Sequence, residues 1–259
     1  MIETLAGLLA PVQGALAGVI LVFLRVGAVV GLMPVFGETS VPMRVRIGLA
    51  LAFSAVVAPA VLADTGPHPA LLPPLGAAAA EVATGVFFGL GIRFFVLALQ
   101  TAGTIAAQSA SLSQIFGGSA GAEPQPAIGH VLTIGGLALA AGLGLHVQAA
   151  AYLVQSYALV PLGTAPLPGT VAEAGVAEVG RAFARAFALA APFVVAALIY
   201  NVTLGVINKA MPQLMVSFVG APALTAGGLI LLFLTAPLIL GAWQEGLSAF
   251  LADPFGARP

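Results

Sequence analysis

"AAAAEVATGVFFGLGIRFFVLALQTAGTIAA", residues 77–107, contains two charges, Glu81 and Arg93, and is otherwise almost wholly apolar. A run of about 20 apolar residues spans the hydrocarbon core of a bilayer as a helix, and this one is longer. No period-two alternation runs through it, and inside lipid only helices or closed barrels satisfy the backbone. The stretch therefore reads as a membrane helix and the chain as all-α. Outward from it, apolar blocks recur at roughly 14–36, 47–63, 127–154, 182–207 and 216–251. Between them lie 37–46, 64–76, 108–126, 155–181 and a short "NKAMPQLM" (208–215).

The whole composition agrees. Of 259 residues, 60% are hydrophobic and 7% charged, with a mean hydropathy of +1.11. A soluble domain carries about 25% charged residues, so the solvent for this surface is lipid or other apolar subunits. The net charge is −1, and the eight Lys and Arg are scattered singly, which leaves no electrostatic footprint for nucleic acid. There is no cysteine, which excludes disulfides, thiolate metal sites and thiol nucleophiles. "MIETLAGLLAPVQ" (1–13) has Glu3 and no basic residue ahead of its apolar run, so it reads as mature chain and not as a secretory leader.

The blocks do not look like independent rods. Pro34, Pro59, Pro192 and Pro237 fall within or at the ends of them, where proline removes a backbone donor. Gly85 and Gly89 form a small-xxx-small face, and Ala98, Ala102 and Ala106 extend small residues at helical spacing, the pattern that lets helix backbones approach closely. A six-span count of Lys and Arg gives three against three: Arg181, Arg185 and Arg258 on one side, Arg44, Arg46 and Lys209 on the other. Ordinary spans are oriented by such a bias; its absence speaks for kinked helices packed against protein.

Candidate functional groups are the ionisable residues within apolar blocks: Arg25, Glu81 and Arg93. Each is costly in lipid unless paired. Glu81 and Arg93 stand ~18 Å apart along one helix and about 120° around it, so each needs a partner on another helix or subunit, or lines water. Packing or assembly is the more economical role; a small-solute transporter with these three at a midplane site is the alternative. Glu178, Arg181 and Arg185 share a helical face and read as a solvated or docking stripe. Asn201 and Asn208, seven apart, suit interhelical hydrogen bonds, with Lys209 and Gln213 beside them. No zinc helix, nucleophile elbow or phosphate loop is present. His130 and His146 are ~24 Å apart on one continuous helix, and with His68 they make no metal spacing. No catalytic, cofactor or metal site is expected.

Five stretches together carry a family resemblance: "FLRVGAVVGLMPVFGETSVPMRVRIGLALAFSAVVAP" (23–59), Glu81-x3-Gly85-x3-Gly89, "TAGTIAAQSASLSQ" (101–114), "GLHVQAAAYLVQSYALVPLG" (144–163) and "GVINKAMPQLMVSFVGAPALTAGGL" (205–229). In this order they resemble the FliR family of type III secretion export-gate subunits. The resemblance implies a bacterial inner-membrane subunit of the flagellar basal body that passes unfolded proteins, assembled with FliP-like and FliQ-like partners near FlhB and FlhA, with no cofactor. An injectisome subunit is the sibling alternative. It also implies a FliP-like part over about 1–181 and a FliQ-like hairpin over about 182–259, packed as kinked hairpins in a helical assembly. The segment "QSASLSQIFGGSAGAEPQP" (108–126) resembles a pore plug, with Gln108, Leu112, Ile115, Phe116 and Gly117 as its candidate residues. Small residues suit a confined backbone, and Ile115 and Phe116 suit an apolar constriction that gates by dewetting.

Overall fold

The computed structural model describes residues 2–63, 73–111, 127–211 and 216–254, with side chains described except at 2–13, 110–111, 208 and 216–225. Every regular element among them is a helix: α1 (Ile2–Leu32), α2 (Met43–Leu62), α3 (Leu75–Ser111), α4 (Ala127–Gly142), α5 (Leu145–Leu159), α6 (Pro168–Ala210) and α7 (Val216–Ala252). Five are long and apolar enough to cross a membrane, or six if α4 and α5 form one broken span.

The 127–154 block is not one helix. It bends by 78° between α4 and α5, where Gly144 takes φ +80. That left-handed backbone costs glycine nothing and other residues roughly 1–2 kcal/mol. His130 and His146 consequently stand on different helices. The 155–181 stretch between the apolar blocks is also largely helical: α5 runs to Leu159 and α6 starts at Pro168. Proline at a first helical turn loses no hydrogen bond, and the Ala- and Glu-containing 171–181 segment propagates the helix. Pro59 and Pro192 lie inside continuous helices.

The chain divides into two compact units, residues 1–94, 140–178 and 247–259, and residues 95–139 and 179–246. In the first, α2 packs on α1 and α5. Its core draws Leu21, Val26 and Val29 from α1, Val57 from α2, Phe88 and Ile92 from α3, Tyr152 and Leu153 from α5, and Leu247 from α7. Phe88 and Tyr152 meet edge to face at 5.7 Å, and the Tyr152 hydroxyl donates to the Phe88 carbonyl at 2.9 Å. This satisfies the polar end of an otherwise apolar side chain.

In the second unit Phe95, Val96, Leu99, Phe193, Ile239 and Trp243 are buried. The Trp243 indole N–H donates to the Phe95 carbonyl at 2.7 Å. The Arg185 guanidinium lies 4.2 Å above the Phe95 ring, a cation–π contact. The Glu178–Arg185 face is only partly solvated: Glu178 is buried, Arg185 covers an aromatic ring and Arg181 is exposed. On α6 and α7, Leu198, Ile199, Val202, Phe233 and Leu238 are exposed, a surface suited to lipid or another apolar chain.

Candidate functional site: a buried ion pair and the flanks of the 112–126 segment

α3 approaches α1 through the glycines. A Cβ on Gly85 would lie 2.5 Å from the Arg25 carbonyl oxygen, and one on Gly89 would lie 3.0 Å from Leu32 side-chain carbons. Larger residues there would hold the backbones apart. One turn before Gly85, Glu81 is thereby brought to the Arg25 side chain.

Both charges are wholly buried, and Arg25 is the largest fully buried side chain among those described. Arg25 Nε donates to Glu81 Oε2 at 2.7 Å and Nη2 to Oε1 at 3.0 Å. This is the bidentate fork that suits arginine and not lysine. Nη1 donates to the carbonyls of Ser156 at 3.1 Å and Val160 at 2.8 Å. Glu81 Oε1 also accepts the Gly163 backbone N–H at 2.6 Å. The face of the guanidinium lies 3.8 Å from the Tyr157 ring centroid. A buried pair offsets its desolvation only when its remaining donors and acceptors are satisfied, and here they nearly all are.

Arg93 does not join this cluster. It pairs with the Glu38 carboxylate at a partly exposed position. Arg46 donates to the carbonyls of Glu38 at 2.8 Å and Val41 at 3.0 Å. Two arginines thus hold the α1–α2 connector, in which Val35 takes φ +70.

Among the other candidates, Gln108 is exposed near the end of α3, Asn201 is half-buried in α6 and Lys209 is exposed in its last turn. Asn208 belongs to α6, but its side chain is outside the described ones. Leu112, Ile115, Phe116, Gly117 and Gln213 lie outside the described residues. Sequence reasoning missed Glu38, Tyr157 and Gly163. Glu38 carried only a partial signal: arginines in apolar blocks must each find a carboxylate, but the chain has nine and nothing in the sequence selects this one. The Ser156 and Val160 carbonyls carry no side-chain signal.

Residues 16–250 match the family described as bacterial export proteins, family 1. The chain is 34% identical to the flagellar biosynthetic protein FliR of Caulobacter vibrioides, covering 87% of this chain and 90% of that protein. It is 29% identical to the FliR of Escherichia coli K12, with 83% of each covered. The FliR of Bacillus subtilis is 26% identical over 85% of this chain and 86% of the relative.

Proposed function

Because this chain belongs to bacterial export proteins, family 1, we propose that it is the FliR-type subunit of the flagellar type III export gate in the bacterial inner membrane. The observation that carries this is the match to flagellar FliR proteins over most of both chains. Helices long and apolar enough to span a bilayer support it. Its task is structural: to help form and gate a passage for unfolded flagellar proteins, without catalysis. FliP-like and FliQ-like subunits are its partners, with FlhB and FlhA as neighbours. The FliP-like part covers about residues 1–181 and the FliQ-like hairpin about 182–259. Apolar faces on α6 and α7, together with Asn201, Asn208, Lys209 and Gln213, supply interhelical and intersubunit contacts.

The segment between α3 and α4 serves as the plug, with Gln108, Leu112, Ile115, Phe116 and Gly117 narrowing the closed pore. Its support is the resemblance of residues 108–126 to a FliR-type plug, together with small residues around Ile115 and Phe116 and Glu123 as the one charge. Deleting residues 110–121 raises ion leak through the assembled gate; an unchanged leak refutes the plug. Arg25, Glu81 and Arg93 do not make a solute site together. Arg25 and Glu81 are closed to solvent, and Arg93 is engaged by Glu38.

The first test is gentle extraction of the tagged chain from its native membrane, with mass spectrometry of what co-purifies. Stoichiometric FliP-like and FliQ-like chains are expected. A homo-oligomer without them overturns the assignment.

A further inference from the structure

At the end of α5 the Val160 N–H donates to the Ser156 carbonyl at 3.0 Å, and no local cation stands there. The helix has no basic residue in its last turn, and the last carbonyls of a helix lack intrahelical donors. A cation there is favourable because the helix dipole leaves negative partial charge at that end. Arg25, distant in sequence, supplies it through Nη1 to the Ser156 and Val160 carbonyls. The anion of the same pair takes the N–H of Gly163, whose φ of +75 turns the chain toward α6. The pair therefore grips both polar sides of one short connector: the cation holds its carbonyls and the anion its amide.

The apolar side of that connector forms a wall. Val160 and Pro161 line a cleft of about 360 Å³ together with Phe87, Phe88, Thr170 and Pro254. Val160 thus gives its carbonyl to Arg25 and also lines the cleft.

We propose that Arg25 and Glu81 are a latch for the α5–α6 connector, positioning residues that set where α5 ends and hold the cleft wall in place. A pair that served only to join α1 to α3 would need its spare donors and acceptor satisfied, but not by three groups of one connector. The alternative is a pair whose loss loosens the packing of α1, α2 and α3 as a whole.

The natural absence of cysteine permits a direct test in the full chain in native membranes. Ser156→Cys places a thiol at the buried end of α5, and Ser54→Cys places one at a comparably buried site in α2. Each is treated with a water-soluble maleimide in the wild-type, R25K and E81Q backgrounds, and labelling is read on the membrane-assembled fraction. Lysine still meets Glu81 as a point charge but lacks the separate nitrogen that reaches the Ser156 and Val160 carbonyls while the others hold Glu81; glutamine keeps an acceptor for Gly163 but removes the anion. The expected result is labelling of Ser156→Cys faster by about tenfold or more in both variants, since loss of a charged-donor hydrogen bond shifts a local opening equilibrium by that order. Labelling of Ser54→Cys stays at its wild-type rate. If the Ser156→Cys rate is unchanged in either variant, or if both reporters accelerate together, there is no latch.

Discussion

Gly103 on α3 and Gly129 on α4 meet backbone to backbone, and the contact is asymmetric. A Cβ on Gly103 would sit 2.0 Å from the Gly129 Cα, whereas one on Gly129 would sit 3.4 Å from the Gly103 Cα. Gly103→Ala must separate the helices, at a cost of about 1–3 kcal/mol. Gly129→Ala fits. Thermal midpoints of the purified protein in detergent should fall for the first and stay near wild type for the second.

Arg25→Ala strands the Glu81 carboxylate in a dry core and should cost about 3–5 kcal/mol. The double variant Arg25→Met/Glu81→Leu removes both charges while retaining bulk. It should unfold at a higher temperature than Arg25→Ala, even though the connector contacts are lost. A double variant less stable than the single would mean that the pair contributes more than the relief of its own desolvation.

Val35 holds its left-handed φ without the glycine that the conformation favours, a strain on the order of 1 kcal/mol or more for a β-branched residue. Val35→Gly should raise the thermal midpoint slightly. Gly37→Ala, two residues on, should lower it, because a Cβ there would lie 2.5 Å from the Gly31 carbonyl oxygen.

Trp243→Phe keeps an aromatic ring beside Gly136 but loses the bond to the Phe95 carbonyl. The loss should be about 1 kcal/mol. Trp243→Ala should cost about 3–5 kcal/mol by opening a cavity. Equal effects of the two substitutions on the midpoint would show that the indole N–H, and not the ring, dominates.

The helices were legible because lipid-compatible runs advertise themselves, and so was the close approach at Gly85 and Gly89. Arg25, Glu81 and Arg93 were visible as candidates because charge is rare in such runs. Their pairing was less visible. Arg25 with Glu81 and Arg93 with Glu38 are 56 and 55 residues apart, and nothing local distinguishes that matching from others. The backbone partners of Arg25 were beyond reach, since every residue has a carbonyl. The break at Gly144 hid for a related reason: glycine is abundant here, with 32 in the chain, and only its φ marks this one as a corner.

That corner has a consequence for biogenesis. α4 and α5 have 16 and 15 residues, so at 1.5 Å per residue each is ~24 Å long or slightly less. Neither alone matches a hydrocarbon thickness of ~30 Å. The insertion machinery meets them as one greasy stretch that could be threaded straight, yet the finished protein folds it into an elbow. Each arm has its own buried anchor, Leu132 on α4 and Tyr152 on α5, so neither depends on lipid alone to cover it.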